Sequence, residues 1–232
     1  MGWTLGLCDR RNALLPLAPF LERLPSLAPA FPPAGVRHLW GRISAVSFLI
    51  LHGHYGSGPG HWQTWLAARL RERGSRVSYP ELPERDAPRL DRWLEALDAE
   101  LARAPDGPVV LCHSLACVLW LQHAGRGSSP RADRVLLVAP PSPSAELPGV
   151  HGFFPLSVEP EEVARAAGST RIVATDNDPY CPEGAERLYG EPLSLPVSLV
   201  EGGGHLNPDA GYGPWPEVER WCLGSAQERF KD

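Results

Sequence analysis

The chain has 232 residues, 43% of them hydrophobic and 21% charged, which fits one ordered domain with a full core and excludes a wholly disordered chain. Its net charge of −5 disfavours a nucleic-acid or anionic-membrane surface. No run approaches the roughly eighteen uninterrupted apolar residues that span a bilayer. The five cysteines (Cys8, Cys112, Cys117, Cys181 and Cys222) are odd in number and contain no C-x-x-C pair. That pattern argues against a disulfide framework or zinc cage and predicts a reducing, cytoplasmic location. Lys231 is the sole lysine and prolines number 26, a usage read as genomic composition bias rather than function.

Residues 1–45 differ from the rest, because Pro16, Pro19, Pro25, Pro29, Pro32 and Pro33 interrupt any long helix. Two readings compete for this segment. One is a signal peptide, built on Arg10 and Arg11, an apolar ALLPLAPFL run and an Ala28-Pro29-Ala30 cleavage-like site. The other is a poorly ordered extension, or a start-site artefact, ahead of the first regular element. Glu22 and Arg23 break the apolar run and favour the second.

From Val46 the pattern is regular. The continuous apolar run 46–52 predicts a strand buried on both faces. Trp62, Trp65, Leu66 and Leu70 fall at helical spacing within 60–73. A second strand is expected over 76–80, and an amphipathic helix over 88–103, with Leu90, Trp93, Leu94, Leu97 and Leu101 on one stripe. Strands follow at 108–112, 134–139, 171–175 and 196–201, with helices at 115–125, 160–167 and 183–190 between them. A last helix starts near Pro214 or Pro216, since proline suits a first turn. Strands alternating with helices predict an α/β, doubly wound, mostly parallel six-stranded sheet of order 2-1-3-4-5-6. The domain runs over 46–224, with 225–232 as a C-terminal tail. The proline-rich connection 140–160 lies where a lid would grow; it is short, so the lid is minimal. An apolar pocket around Phe153, Phe154 and Leu156 is expected there.

The sharpest chemical signal is Cys112-His113-Ser114-Leu115-Ala116, between a strand and a helix. A G-x-S-x-G nucleophile elbow needs small residues two before and two after the serine, so that the chain can turn sharply against the helix. Cysteine and alanine replace the glycines but remain small. The turn lifts Ser114 above the sheet and leaves the Leu115 N–H, at a helix start, free to hold an oxyanion. A serine hydroxyl needs a base, and the base needs an orienting group. Asp178, just past the fifth strand, and His205, behind three glycines just past the sixth, stand where those partners belong. Asp176 is the rival acid; Pro179, which fixes the turn beyond Asp178, favours Asp178. A second oxyanion donor is expected from the glycine-rich loop 52–58, with the His54 N–H first and Tyr55 second. Tyr55, His61, Trp62 and Phe153 are candidates for the substrate pocket.

At these residues the chain resembles the small α/β-hydrolase serine-hydrolase family that includes retinoblastoma-binding protein 9 and many bacterial relatives. The resemblance rests on LHGHYGSGPGHWQTWL, CHSLAC, ATDNDPYCPEGAERL and GGGHLNPDAGYGPWPE. It implies a triad of Ser114, Asp178 and His205, esterase- or peptidase-like hydrolysis and no cofactor. Cys112 departs from the usual elbow. The Leu-x-Cys-x-Glu pocket-protein signature is absent, so retinoblastoma binding is not carried over.

Blander readings stand beside these. Ser114 alone would read as a helix cap. His52 and His54 form an H-x-H that suits a metal, but no further ligand is adjacent, and no metal is expected. His113 reads as the variable elbow residue, while Cys112 and Cys117 read as core. The resulting expectation is a serine hydrolase acting on a small ester, thioester or amide through an acyl-enzyme, without cofactor, nucleic-acid or membrane partner; oligomeric state is left open. The alternatives are a non-catalytic binding protein on the same fold and another chemistry of that fold, such as a hydroxynitrile lyase or a cofactor-free haloperoxidase.

Overall fold

A computed structural model describes residues 46–104, 107–127 and 130–224. The expected extension over 1–45, with its signal-peptide and start-site readings, and the tail over 225–232 lie outside the described residues. Six strands form one sheet: β1 (Ser47–Leu51), β2 (Arg76–Ser78), β3 (Val109–His113), β4 (Ala132–Val138), β5 (Ala167–Thr175) and β6 (Val197–Val200). Their spatial order is β2-β1-β3-β4-β5-β6, and every neighbouring pair is parallel. The register runs through the apolar centres, with Ile50 opposite Leu111, Leu111 opposite Leu136 and Ile172 opposite Val197. This is the doubly wound sheet that the alternation of elements predicts.

Alternate residues of each strand feed two separate cores, as the two-residue side-chain period requires. Leu49, Leu51, Val110, Val135, Leu137 and Ile172 pack on one face, under α2 (Leu90–Ala102), α3 (Leu115–Gly125) and α4 (Pro160–Ala166). Phe48, Ile50, Val109, Leu111, Leu136 and Val173 pack on the other, under α1 (Trp62–Glu72) and α6 (Pro216–Leu223). Helix α3 is apolar all round, and its residues from Leu115 to Leu121 are wholly buried, as expected of a helix enclosed by protein on every side. Among the described residues no helix is long and apolar enough to cross a membrane.

The differences from the sequence reading are local. Strand β5 begins at Ala167, four residues ahead of the expected 171, because Ala132 at the start of β4 pairs with Ala167. Gly168 permits that approach, since a Cβ there would stand 2.4 Å from the Asp133 carbonyl oxygen. The expected helix at 183–190 is a π-helical turn, Glu186–Gly190, running into a short α5 (Glu191–Leu193). Helix α6 starts at Pro216, the second of the two expected starts.

Candidate active site

The C-terminal ends of β1, β3, β5 and β6 converge on one edge of the sheet, where open α/β sheets carry their ligand sites. Strand β3 ends at His113 and α3 starts at Leu115, so Ser114 alone makes the turn, at φ 55° and ψ −125°. A non-glycine residue held there stores strain of about 1–3 kcal/mol. The surroundings fix it. The Ser114 N–H donates to the Val138 carbonyl at 2.9 Å, and the loop after β1 presses on it from the other side. A Cβ on Gly53 would sit 2.6 Å from the Ser114 Cβ and 2.9 Å from the His113 carbonyl, so only glycine fits beside the serine. Cys112 and Ala116 are fully buried and meet the small-residue requirement of the bend.

Behind Ser114 the side chains form a continuous relay. The Ser114 hydroxyl stands 2.9 Å from His205 Nε2, and His205 Nδ1 lies 2.9 Å from each carboxylate oxygen of Asp178. An ionised carboxylate only accepts hydrogen bonds, so the imidazole proton belongs on Nδ1 and Nε2 is left to accept from the serine. Asp178 Oδ1 also accepts the Tyr180 N–H at 2.9 Å. All three relay residues are buried. Asp176 is engaged elsewhere: its Oδ1 accepts the Gly202 N–H at 2.7 Å, at the base of the loop that carries His205.

Ser114 and His205 open onto a cleft of about 320 Å³, whose walls include His54, Tyr55, His61, Leu147, Tyr180 and Asp209. The Tyr180 ring meets the His205 ring edge-on at 4.6 Å between centroids. His61 caps α1: its Nδ1 accepts the Gln63 N–H at 3.2 Å. Burial, with the neighbouring His205 and His52 adding to it, pushes its pKa down to about 4. Burial also holds His113 well below the usual histidine range, with His205 and His61 lowering it further. His54 is lowered as well, chiefly by burial. The histidines around His205 are therefore neutral at pH 7.

Leu115 is the first residue of α3, so its N–H is one of the helix-start donors that have no partner within the helix. The Tyr55 N–H donates to the Arg85 carbonyl at 3.0 Å, which leaves His54 as the donor candidate of that loop. His52 binds through both nitrogens to backbone, Nδ1 at 2.7 Å from the Gly53 carbonyl and Nε2 accepting the Leu82 N–H at 2.8 Å. Among the described residues no cluster of three or more His, Cys, Asp or Glu side chains could hold a metal ion.

Two expected pocket residues do not reach the cleft. Trp62 is wholly buried against Trp215 under α1 and α6, because it shares a helical stripe with Leu66 and Leu70. Phe153 is wholly buried against Trp93. Its neighbours Phe154 and Leu156 line a separate apolar cavity of about 500 Å³ that contains none of the relay residues. Conversely, His113, Leu147, Tyr180, Asn207 and Asp209 line the cleft without having been expected there. Tyr180 and Asn207 each lie two residues beyond a relay residue, the one signal that would have marked them.

This elbow, relay and sheet order define a class. The profile of the serine hydrolase family matches residues 48–222, and the chain belongs to that family. YdeN of Bacillus subtilis is 24% identical over 175 residues, covering 73% of this chain and 90% of YdeN. The crystal structure of YdeN superposes with a TM-score of 0.69 at 23% identity, covering 77% of this chain and 97% of the other. Est1E from Butyrivibrio proteoclasticus superposes with a TM-score of 0.54 at 16% identity, covering 69% and 80%. These structural likenesses show a shared α/β-hydrolase fold.

Proposed function

We propose that the protein is a serine hydrolase that cleaves a small ester, thioester or amide through Ser114, His205 and Asp178. The observation that carries this reading is the unbroken relay from the Ser114 hydroxyl through His205 to Asp178, with 2.9 Å at each step. His205 Nε2 takes the Ser114 proton as the serine oxygen attacks the carbonyl carbon. The ring becomes an imidazolium, and Asp178 holds its tautomer and stabilises its charge. The N–H groups of Leu115 and His54 hold the developing oxyanion, and each such donor contributes about 3–4 kcal/mol to lowering the barrier. The tetrahedral intermediate collapses, His205 returns the proton to the leaving group, and an acyl-serine remains. Water then attacks the acyl carbon, with His205 again as base, and releases the acid.

The cleft, at about 320 Å³, lies near the lower end of small-molecule sites, which favours short acyl groups. The chemistry needs no cofactor, and no nucleic acid or membrane enters it. The reading places the protein in the cytoplasm, on the strength of the odd cysteine count. The test is labelling by a fluorophosphonate probe, wild type against Ser114→Ala, with turnover of p-nitrophenyl acetate and butyrate measured in parallel. Labelling and turnover that both vanish in the variant are the expected result. A folded wild type that takes no label would overturn the reading.

A further inference from the structure

The base of the relay rides on an unpromising support. His205 follows Gly202, Gly203 and Gly204, and a glycine run leaves the backbone more freedom than any other sequence. Two of these glycines and Leu206 lie at positive φ. Yet four side-chain hydrogen bonds seize successive backbone groups of this loop. Asp176 Oδ1 accepts the Gly202 N–H at 2.7 Å, and Asn177 Oδ1 accepts the Gly204 N–H at 2.7 Å. The Thr175 hydroxyl donates to the Gly204 carbonyl at 2.5 Å. His113 Nε2 lies 3.0 Å from the carbonyl of His205 itself.

The four side chains come from two strand ends. Thr175, Asp176 and Asn177 immediately precede Asp178, so four consecutive residues, from the last of β5 onward, hold His205, three through its loop and one through its ring. His113 immediately precedes Ser114. It therefore ties the strand that carries the nucleophile to the backbone of the base, bypassing the reacting atoms. A carbonyl accepts only from a ring N–H, so Nε2 of His113 carries the proton. Burial and the adjacent histidines hold the His113 ring neutral, so it sets no second positive charge beside His205 when the base is protonated; the two rings are 5.0 Å apart.

We propose that His113 is a positioning residue, and that with Thr175, Asp176 and Asn177 it fixes the distance between the base and Ser114 through the backbone of His205. The proposal rests on the hydrolase reading for its kinetic consequence, while its geometric content stands apart from it. A misplacement of the base by about 1 Å lowers the rate by roughly 100-fold, so loss of the His113 donor is expected to act on the chemical step rather than on substrate binding.

The experiment compares His113→Leu, which removes the donor, with His113→Gln, whose side-chain amide can reach the same carbonyl. For each, kcat and KM on p-nitrophenyl acetate, the rate of fluorophosphonate labelling, and the proton resonance of His205 Nδ1–H are measured. The leucine variant is expected to lose roughly 10- to 100-fold in kcat and labelling rate, with KM within about threefold of wild type. Its Nδ1–H resonance should broaden by exchange with water, and the glutamine variant should regain most of the rate and a sharp resonance. If the leucine variant does not fold, Asn177→Ala, at an exposed position, takes its place, with a loss of roughly 3- to 10-fold expected. Glutamine no better than leucine in equally stable proteins, or a sharp resonance and unchanged labelling in the leucine or Asn177→Ala variant, overturns the proposal. A wild type without turnover sinks the hydrolase reading instead, and the resonance still decides whether His113 holds the base.

Discussion

Two histidines at the same edge of the sheet, His52 beyond β1 and His205 beyond β6, share their burial and their ring tautomer. Both are buried, both carry the ring proton on Nδ1, and both engage both nitrogens. They differ in what faces each nitrogen. Around His52 the partners are backbone: the Gly53 carbonyl accepts from the Nδ1–H, and the Leu82 N–H donates to Nε2. Protonating Nε2 would break the Leu82 bond, and burial lowers the pKa further. Around His205 the partners are a carboxylate on Nδ1 and a hydroxyl on Nε2. The hydroxyl can surrender its proton, and the carboxylate stabilises the charge that results. The same ring in the same tautomer is a strut in one loop and, in the proposed mechanism, a base in the other, because of its neighbours alone.

Breaking each histidine should separate the two roles. His205→Gln, whose side-chain amide can still donate to the buried Asp178, is expected to lower kcat by about 10⁴-fold or more while leaving thermal unfolding nearly unchanged. His52→Ala should instead cost about 1–3 kcal/mol of stability, because it leaves the buried Leu82 N–H without a partner. Turnover and urea unfolding of both proteins check this; a His52→Ala protein as stable as wild type but inactive would erase the distinction. The acids divide in the same way. Asp178→Asn is expected to cost roughly 10³- to 10⁴-fold in kcat through the wrong tautomer. Asp176→Asn keeps an oxygen for Gly202 and should stay within about threefold, which steady-state kinetics at one pH will show.

The approach of the two loops at Gly53 sharpens the comparison from the strut side. Gly53→Ala places a methyl 2.6 Å from the Ser114 Cβ, and such overpacking typically costs about 1–3 kcal/mol. A midpoint in urea unchanged from wild type would show that the loop yields freely. The smallest effect is graded with pH. The folded pKa of His61 is about 4 against an ordinary 6.5. Between those values the unfolded chain takes up a proton that the folded one refuses. Its contribution is complete above pH 6.5 and falls away as the pH drops towards 4, by up to about 3 kcal/mol. The lowered values of His52, His54, His113 and His123 act with the same sign. Urea midpoints at pH 7.5, 6 and 5 should fall steadily. His61→Asn, which keeps a capping acceptor, should flatten part of the slope. A midpoint independent of pH would contradict the burial of these rings in neutral form.

The architecture was legible because the central strands are continuous apolar runs and the helices between them carry clear stripes. Ser114, Asp178 and His205 were legible as residues at strand ends, each beside a turn signal. The first residues of β5 were not: Ala167, Gly168 and Ser169 have little strand preference of their own, and pairing with β4 holds them extended. The pocket was read less well. Trp62 and Phe153 sit next to loops of the site in sequence, yet their side chains point into the two cores. For Trp62 the spacing to Leu66 and Leu70 already said so. His113 passed for a filler of the elbow, since nothing local shows that its ring spans to a carbonyl 92 positions away.

Cys112 and Cys117 lie wholly buried on either side of Ser114, and Cys181 lies buried beside Asp178. Burial raises all three thiols far from the thiolate form, so a bulky disulfide reagent reaches them only when the elbow or the acid loop opens. The protein thus carries its own stopwatch for that opening. The rate at which these thiols react under native conditions measures the free energy that keeps the Ser114 turn and the Asp178 loop closed, without a substrate.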